Sequence, residues 1–127
     1  MLALQIQSGP QKGAVRYGPS YGPRTSPDRT AFNTISTENN FAAHAGLLSL
    51  FHITGDQKYR DAADDILTWA ATSEVSALLR DPANPPPYFY TGMFYDEGSG
   101  TWLINTSFAT DAAGSLPLSG PGPAWLD

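Results

Sequence analysis

The sequence predicts a mainly α fold: one antiparallel αα-hairpin joined to a β-hairpin, with long irregular termini. Three observations predict it. Apolar residues recur at helical spacing through two consecutive segments, Phe41 to Ile53 and Tyr59 to Ala70, as expected of helices that bury a face. Thr54-Gly55-Asp56 separates them, which leaves room only for a tight reversal. Farther on, aromatic and β-branched runs flank the Gly-containing turn Asp96-Glu97-Gly98-Ser99-Gly100, the pattern of a β-hairpin. The 127 residues amount to one domain, divided into a Gly/Pro-rich arm at 1–34 and a helical-hairpin plus β-hairpin module at 35–127.

The arm contains Gly9-Pro10, Gly18-Pro19, Gly22-Pro23 and Ser26-Pro27. Proline removes donors and glycine adds backbone freedom, so regular structure is not expected there. Met1–Gln7 reads as a short edge strand or a helical turn. The repeat Tyr17-Gly18-Pro19-Ser20-Tyr21-Gly22-Pro23 reads as a loop with tyrosine anchors or as an extended linker. The arm and residues 112–127 offer little to bury.

The first helix begins near Ser36. Ser36 or Thr37 accepts a first-turn N–H, and Glu38 suits the positive end of the helix dipole. Asn39 and Asn40 are poor interior helix residues but are tolerated in a first turn. Phe41, Ala45, Leu48 and His52 advance by helical steps, and Leu47, Leu50, Phe51 and Ile53 widen the stripe. Apolar residues on so much of the circumference predict a helix packed on more than one side. Gly55 suits a left-handed closing residue, and Asp56 caps the second helix. That helix carries Tyr59, Ala62, Ala63, Ile66, Leu67 and Ala70 at helical spacing and Lys58, Arg60, Asp61, Asp64 and Asp65 on its polar face. A weaker continuation through 75–79 stops at Asp81-Pro82, and Pro85-Pro86-Pro87 is a rigid connector. Tyr88 to Tyr95 and Thr101 to Thr106 form the β-hairpin, which must lie on the helices because two strands alone are marginal. Phe108 to Ala113 opens a short helix that Gly114 and Pro117 cut off, and Trp125 and Leu126 dock nearby.

Composition narrows the function. The net charge is −5 and the seven Lys and Arg are scattered, whereas non-specific nucleic-acid binding needs clustered cations. Neither nucleic acid nor an anionic membrane surface is an expected partner, and no apolar run approaches the roughly 20 residues of a membrane helix. There is no cysteine, hence no disulfide framework and no thiolate chemistry. Two histidines without cysteine do not support a zinc site, and no phosphate loop or Gly-x-Ser-x-Gly is present. No cofactor is expected. Met1–Ile6 is too short for a signal peptide and lacks a basic start, and the compartment is left open.

Several of these motifs occur together in a known family. Ser36-Thr37-Glu38-Asn39-Asn40 opening a helix, Leu48 to Tyr59 with its Thr-Gly-Asp-x-Lys-Tyr linker, a β-hairpin, and Asn105-Thr106-Ser107-Phe108-Ala109-Thr110-Asp111 together resemble part of an (α/α) toroid of the six-hairpin, glycoside hydrolase-like class. The resemblance covers residues 35–111. It implies that inner-helix N-termini face a central cleft and that the partner is a glycan. Glycoside hydrolysis needs two carboxylates across the sugar. The resemblance offers Glu38 and Asp111 as acid and base, with Asn39, Asn40, His44, Tyr95 and Trp102 binding substrate; the structural alternatives are a dipole-stabilised first-turn carboxylate for Glu38, a helix N-cap for Asp111, a hydrogen-bonded interior histidine for His44 and core packing for Tyr95 and Trp102. His44 lies one turn beyond Asn40, so the two share a helix face. A full toroid is far longer, and repeat arrays need at least about three units, so the chain is expected to be a segment completed by further sequence, by copies or by a partner. The alternative expectation is a non-catalytic assembly protein forming a homo-oligomer or filament through the arm and the aromatic hairpin. A sugar-binding module without turnover is a third.

Overall fold

The computed structural model describes residues 2–23, 25, 27–71 and 90–105. After a single 3-10 turn at Leu2–Leu4, the elements are β1 (Thr34–Ser36), α1 (Thr37–Thr54), α2 (Gln57–Ala71), β2 (Gly92–Asp96) and β3 (Thr101–Asn105). The helical continuation at 75–79, Tyr88, the helix at 108–113 and the docking of Trp125 and Leu126 lie outside the described residues.

The helix boundaries follow from short-range chemistry. Ser36, extended at φ −97°, accepts the N–H of Asn39 on its side chain and starts α1. Gly55, in the left-handed region at φ 69°, ends it by donating to the carbonyl of Phe51 at 2.7 Å. Asp56 then receives the N–H of Lys58 at 3.1 Å and starts α2. These are the cap positions the sequence predicts.

The two helices differ on their outer faces. α2 exposes Lys58, Arg60, Asp61 and Asp64, and Arg60 pairs with Asp64 one turn on at 3.1 Å. Such a pair contributes only about 0.3–0.5 kcal/mol, so the buried side chains hold the hairpin. From Asn39 to Ile53 α1 has no Asp, Glu, Lys or Arg. It exposes Ala42, Ser49, Leu50 and Ile53, the last at 82%. Among the described residues α1 is covered on one side, although its composition suits contact on two.

A β-hairpin forms around the turn the sequence predicts, with Met93 opposite Ile104 and Tyr95 opposite Trp102; its first strand begins at Gly92, so Tyr90 and Thr91 of the expected run precede it. Its turn is built on Asp96, whose carboxylate accepts the N–H groups of Ser99 at 3.1 Å and Gly98 at 3.3 Å. Hydrogen bonds from Ser99 first, and from the Gly98 N–H, hold this carboxyl below the usual aspartate range. The sheet has a third strand that the sequence reading omits: β1 pairs antiparallel with β2, placing Ile35 opposite Met93 and Ser36 opposite Gly92. Among the described residues the fold is therefore two helices and a three-stranded antiparallel sheet, a mixed α and β arrangement rather than a mainly α one. Three residues are too few to carry a strand period of their own. β1 is a strand because β2 presents a free edge to it.

The arm also differs from the sequence expectation, because it contributes to the core. It folds back on itself through a bridge between Gln5 and Val15, and Arg16 bridges to Ile35 beside the sheet. Ala14 and Val15 are buried, as are the polar Gln5 and Gln11. Burying an amide is unfavourable unless it is hydrogen-bonded, and both are. Gln5 donates to the carbonyls of Gly13 and Ala62 at 3.0 and 2.9 Å, and Gln11 accepts the indole N–H of Trp69 at 2.7 Å. Ala14, Ile35, Phe41, Trp69, Ala70 and Met93 form one buried cluster. Val15, Ala43, Leu47, Ala62, Ala63 and Ile66 form the other. Each combines arm and helix residues.

Candidate functional site

The first turn of α1 abuts the end of the sheet, because β1 runs into α1 with only the Ser36 cap between them. Thr37 fastens this corner: it is fully buried, its N–H donates to the carbonyl of Thr91 at 2.9 Å, and its hydroxyl donates to the carbonyl of Tyr90 at 2.8 Å. Beside the corner lies an open cleft of about 380 Å³. Glu38 and Asn39 line it from the helix, Ser36 and Thr34 from β1, Asn105 from β3, and Tyr17 from the arm. Glu38 is its one carboxylate among the described residues. Tyr17 is 59% exposed, yet its backbone is fixed, donating its N–H to the carbonyl of Thr34 at 2.8 Å. The cleft thus combines a carboxylate, two primary amides, hydroxyls and an aromatic ring. That set hydrogen-bonds a polyhydroxylated ligand in both directions and offers an apolar surface to its C–H groups.

Two of the expected binding residues are elsewhere. Asn40 is fully buried. Its amide oxygen accepts the N–H of Val15 at 2.7 Å, and its amide nitrogen donates to the carbonyls of Val15 and Ser36 at 2.9 and 2.8 Å. The side chain acts as a substitute peptide group that pins the arm to α1, and it has no donor left for a ligand. The assignment of Asn40 to substrate binding is corrected on that ground. His44, one turn on, is 3% exposed and does not line the cleft. The structure assigns Asn40 a measurable role in stability. In Asn40→Ala two buried backbone groups of Val15 lose their partner, each at a cost of about 1–3 kcal/mol. The urea-unfolding free energy is expected to fall by about 2 kcal/mol or more. An unchanged unfolding midpoint would remove Asn40 from the fold's supports.

Tyr95 and Trp102 face each other across β2 and β3, ring centroids 5.5 Å apart and inclined at 60°. They stand three register positions from Gly92, roughly 10 Å along the strand, and neither lines the Glu38 cleft. The structure brings Glu38 and Asn39 together and separates Tyr95 and Trp102 from them. Asp111 lies outside the described residues. Tyr17, which the sequence marks only as a loop anchor, and Thr34, which it does not single out, come to the cleft through backbone pairing of the arm with β1. The Tyr-Gly-Pro repeat is the sequence signal that could have drawn attention to Tyr17; Thr34 has none. Among the described residues no group of three His, Asp or Glu side chains is placed to hold a metal ion.

Comparison with known proteins gives no family assignment: no family model, no curated sequence and no solved structure matches the chain.

Proposed function

We propose that this chain is a segment of a carbohydrate-active, glycoside hydrolase-like (α/α) toroid and that it meets a glycan at the Glu38 cleft. One observation carries the reading: in the first turn of α1, where the resemblance to the toroids puts a carboxylate, Thr37 packs against the end of the sheet while Glu38 and Asn39 line a solvent cleft beside it. Glu38 accepts hydrogen bonds from sugar hydroxyls, the Asn39 and Asn105 amides donate and accept, and Tyr17 stacks on a ring face. The uncharged outer face of α1 supports the toroid part of the reading, since a neighbouring helical hairpin would cover Leu50 and Ile53. Glu38 alone makes a binding site. Hydrolysis needs a second carboxylate roughly 5–10 Å away, the role proposed for Asp111.

A glycan-array screen of the full chain, followed by NMR titration with the strongest hit, tests the reading. The expected result is that the amide signals of Tyr17, Glu38 and Asn39 move together and that Glu38→Gln weakens binding about tenfold, the effect of losing one charge-assisted hydrogen bond. A screen without hits, or a hit that leaves those three signals in place, would defeat it. The assembly reading has its own support in the outward-facing pair Phe94 and Leu103, about two-fifths exposed and opposite each other in the sheet. Sedimentation of the same sample separates the two: assembly predicts a concentration-dependent oligomer with no glycan response.

A further inference from the structure

The seven Lys and Arg of this acidic chain are scattered along the sequence, yet two of them converge in space. The Arg16 guanidinium lies 3.9 Å from the centroid of the Phe32 ring, and that of Arg29 lies 5.5 Å from the same centroid. Arg16 also stands 5.5 Å from the Trp102 ring and donates to the carbonyl of Phe32. A hollow of about 310 Å³ opens between the arm and the β-hairpin, bounded by Arg16, Arg29, Phe32, Asn33, Tyr95 and Trp102. Glu97 at its edge is already engaged, accepting from Arg29 at 3.4 Å and from Asn33 at 2.9 Å. Among the described residues Arg16 takes part in no ion pair. Burial first, and the charge of Arg29 second, disfavour its protonated form. An anion in the hollow would offset both by direct attraction to the two guanidinium groups.

We propose that this hollow is a binding site for the carboxylate of an acidic sugar, a uronate residue, held by Arg16 and Arg29 with its ring against Tyr95 and Trp102. A planar guanidinium fork matches a carboxylate in two parallel hydrogen bonds. Two such forks beside one aromatic wall recognise an anion carried on a flat, partly apolar body better than a bare ion. The volume falls at the low end of ligand pockets, which span about 300–1,000 Å³, and suits one monosaccharide. Glu97 is the internal competitor: it holds Arg29 and the Asn33 amide until a ligand carboxylate takes its place. This site is separate from the Glu38 cleft and does not depend on it.

The test is an NMR titration of the full chain with sodium glucuronate, followed at the Trp102 indole and the Arg16 and Arg29 side-chain signals. Glucose, sodium acetate and a triglutamate peptide serve as comparison ligands. Glucuronate is expected to move all three signals, and the other three ligands to bind at least several-fold more weakly. Arg29→Gln, at a half-exposed position where folding is not at stake, is expected to weaken glucuronate about tenfold. Glu97→Gln is expected to strengthen it, because the competing carboxylate is gone. The opposite signs of these two variants cannot arise from loosening the loop. Acetate or triglutamate binding as well as glucuronate, glucose moving the same signals, or either variant leaving the affinity unchanged would overturn the proposal. Because the Glu38 cleft is read at Tyr17 and Asn39, failure at one site is distinguishable from failure at the other.

Discussion

Gly92→Ala is expected to lower the stability of the domain by about 3 kcal/mol, enough to move a urea midpoint by about 1 M or more. Gly92 sits at φ 153°, where side chains are rarely tolerated. A Cβ placed there would lie 1.9 Å from the carbonyl oxygen of Ile35 and 2.9 Å from its carbonyl carbon. Both atoms belong to the β1 backbone, so no rotamer change relieves the overlap. β1 would have to move away from β2, and the bonds from Thr37 to Thr91 and from Tyr95 to Asn33 would stretch with it. The same movement would separate Ser36 and Glu38 from Asn105, so any ligand response at the Glu38 cleft should fall together with stability. A Gly92→Ala protein that unfolds at the wild-type urea concentration would mean that β1 does not pair with β2 in this register.

Trp69→Ala is expected to cost about 3–5 kcal/mol, the usual range for emptying a buried aromatic site, against a total stability of about 5–15 kcal/mol for a domain. The indole is 1% exposed and is the largest fully buried side chain among the described residues. It packs where α2, β2 and the arm meet, in the cluster with Ile35, Phe41 and Met93. Trp69→Phe separates the two parts of that contribution. It keeps most of the apolar contact but leaves the buried Gln11 oxygen without the indole N–H, at a cost of about 1–3 kcal/mol. The pair of variants, measured by urea denaturation, asks whether the arm is part of the folded unit. Losses below 1 kcal/mol in both would mean that it is not, and that residues 5–16 are not held as described. Trp69→Ala is also expected to release the arm to proteolysis, because Gln11 would lose both its partner and its cover.

The comparison of Asn39 with Asn40 shows how far the site could be read in advance. Adjacent and chemically identical, both look like first-turn amides available to a ligand. A helix turns about 100° per residue, so one reaches the cleft while the other faces the arm. Which amide does which depends on where Val15 runs, and nothing near position 40 encodes that. Tyr95 and Trp102 are a similar case. Their aromatic character marks them as candidates, but the register of β2 and β3 carries them toward Arg16 and away from Glu38.

Signals that act within a few residues were therefore written into the chain: the Ser36 cap, the left-handed Gly55, the Asp56 restart, the inward stripe of α2 and the Asp96 turn. The caps and the turn work through bonds that close over two to four residues, and the stripe through the helical repeat, so the local sequence is sufficient. The third strand, the buried glutamines of the arm, the Asn40 clamp on Val15 and the pairing of Arg16 with Arg29 were decided only by tertiary structure. All of them join residues far apart in sequence, and their partners are mostly backbone groups, which every residue carries and no composition reveals.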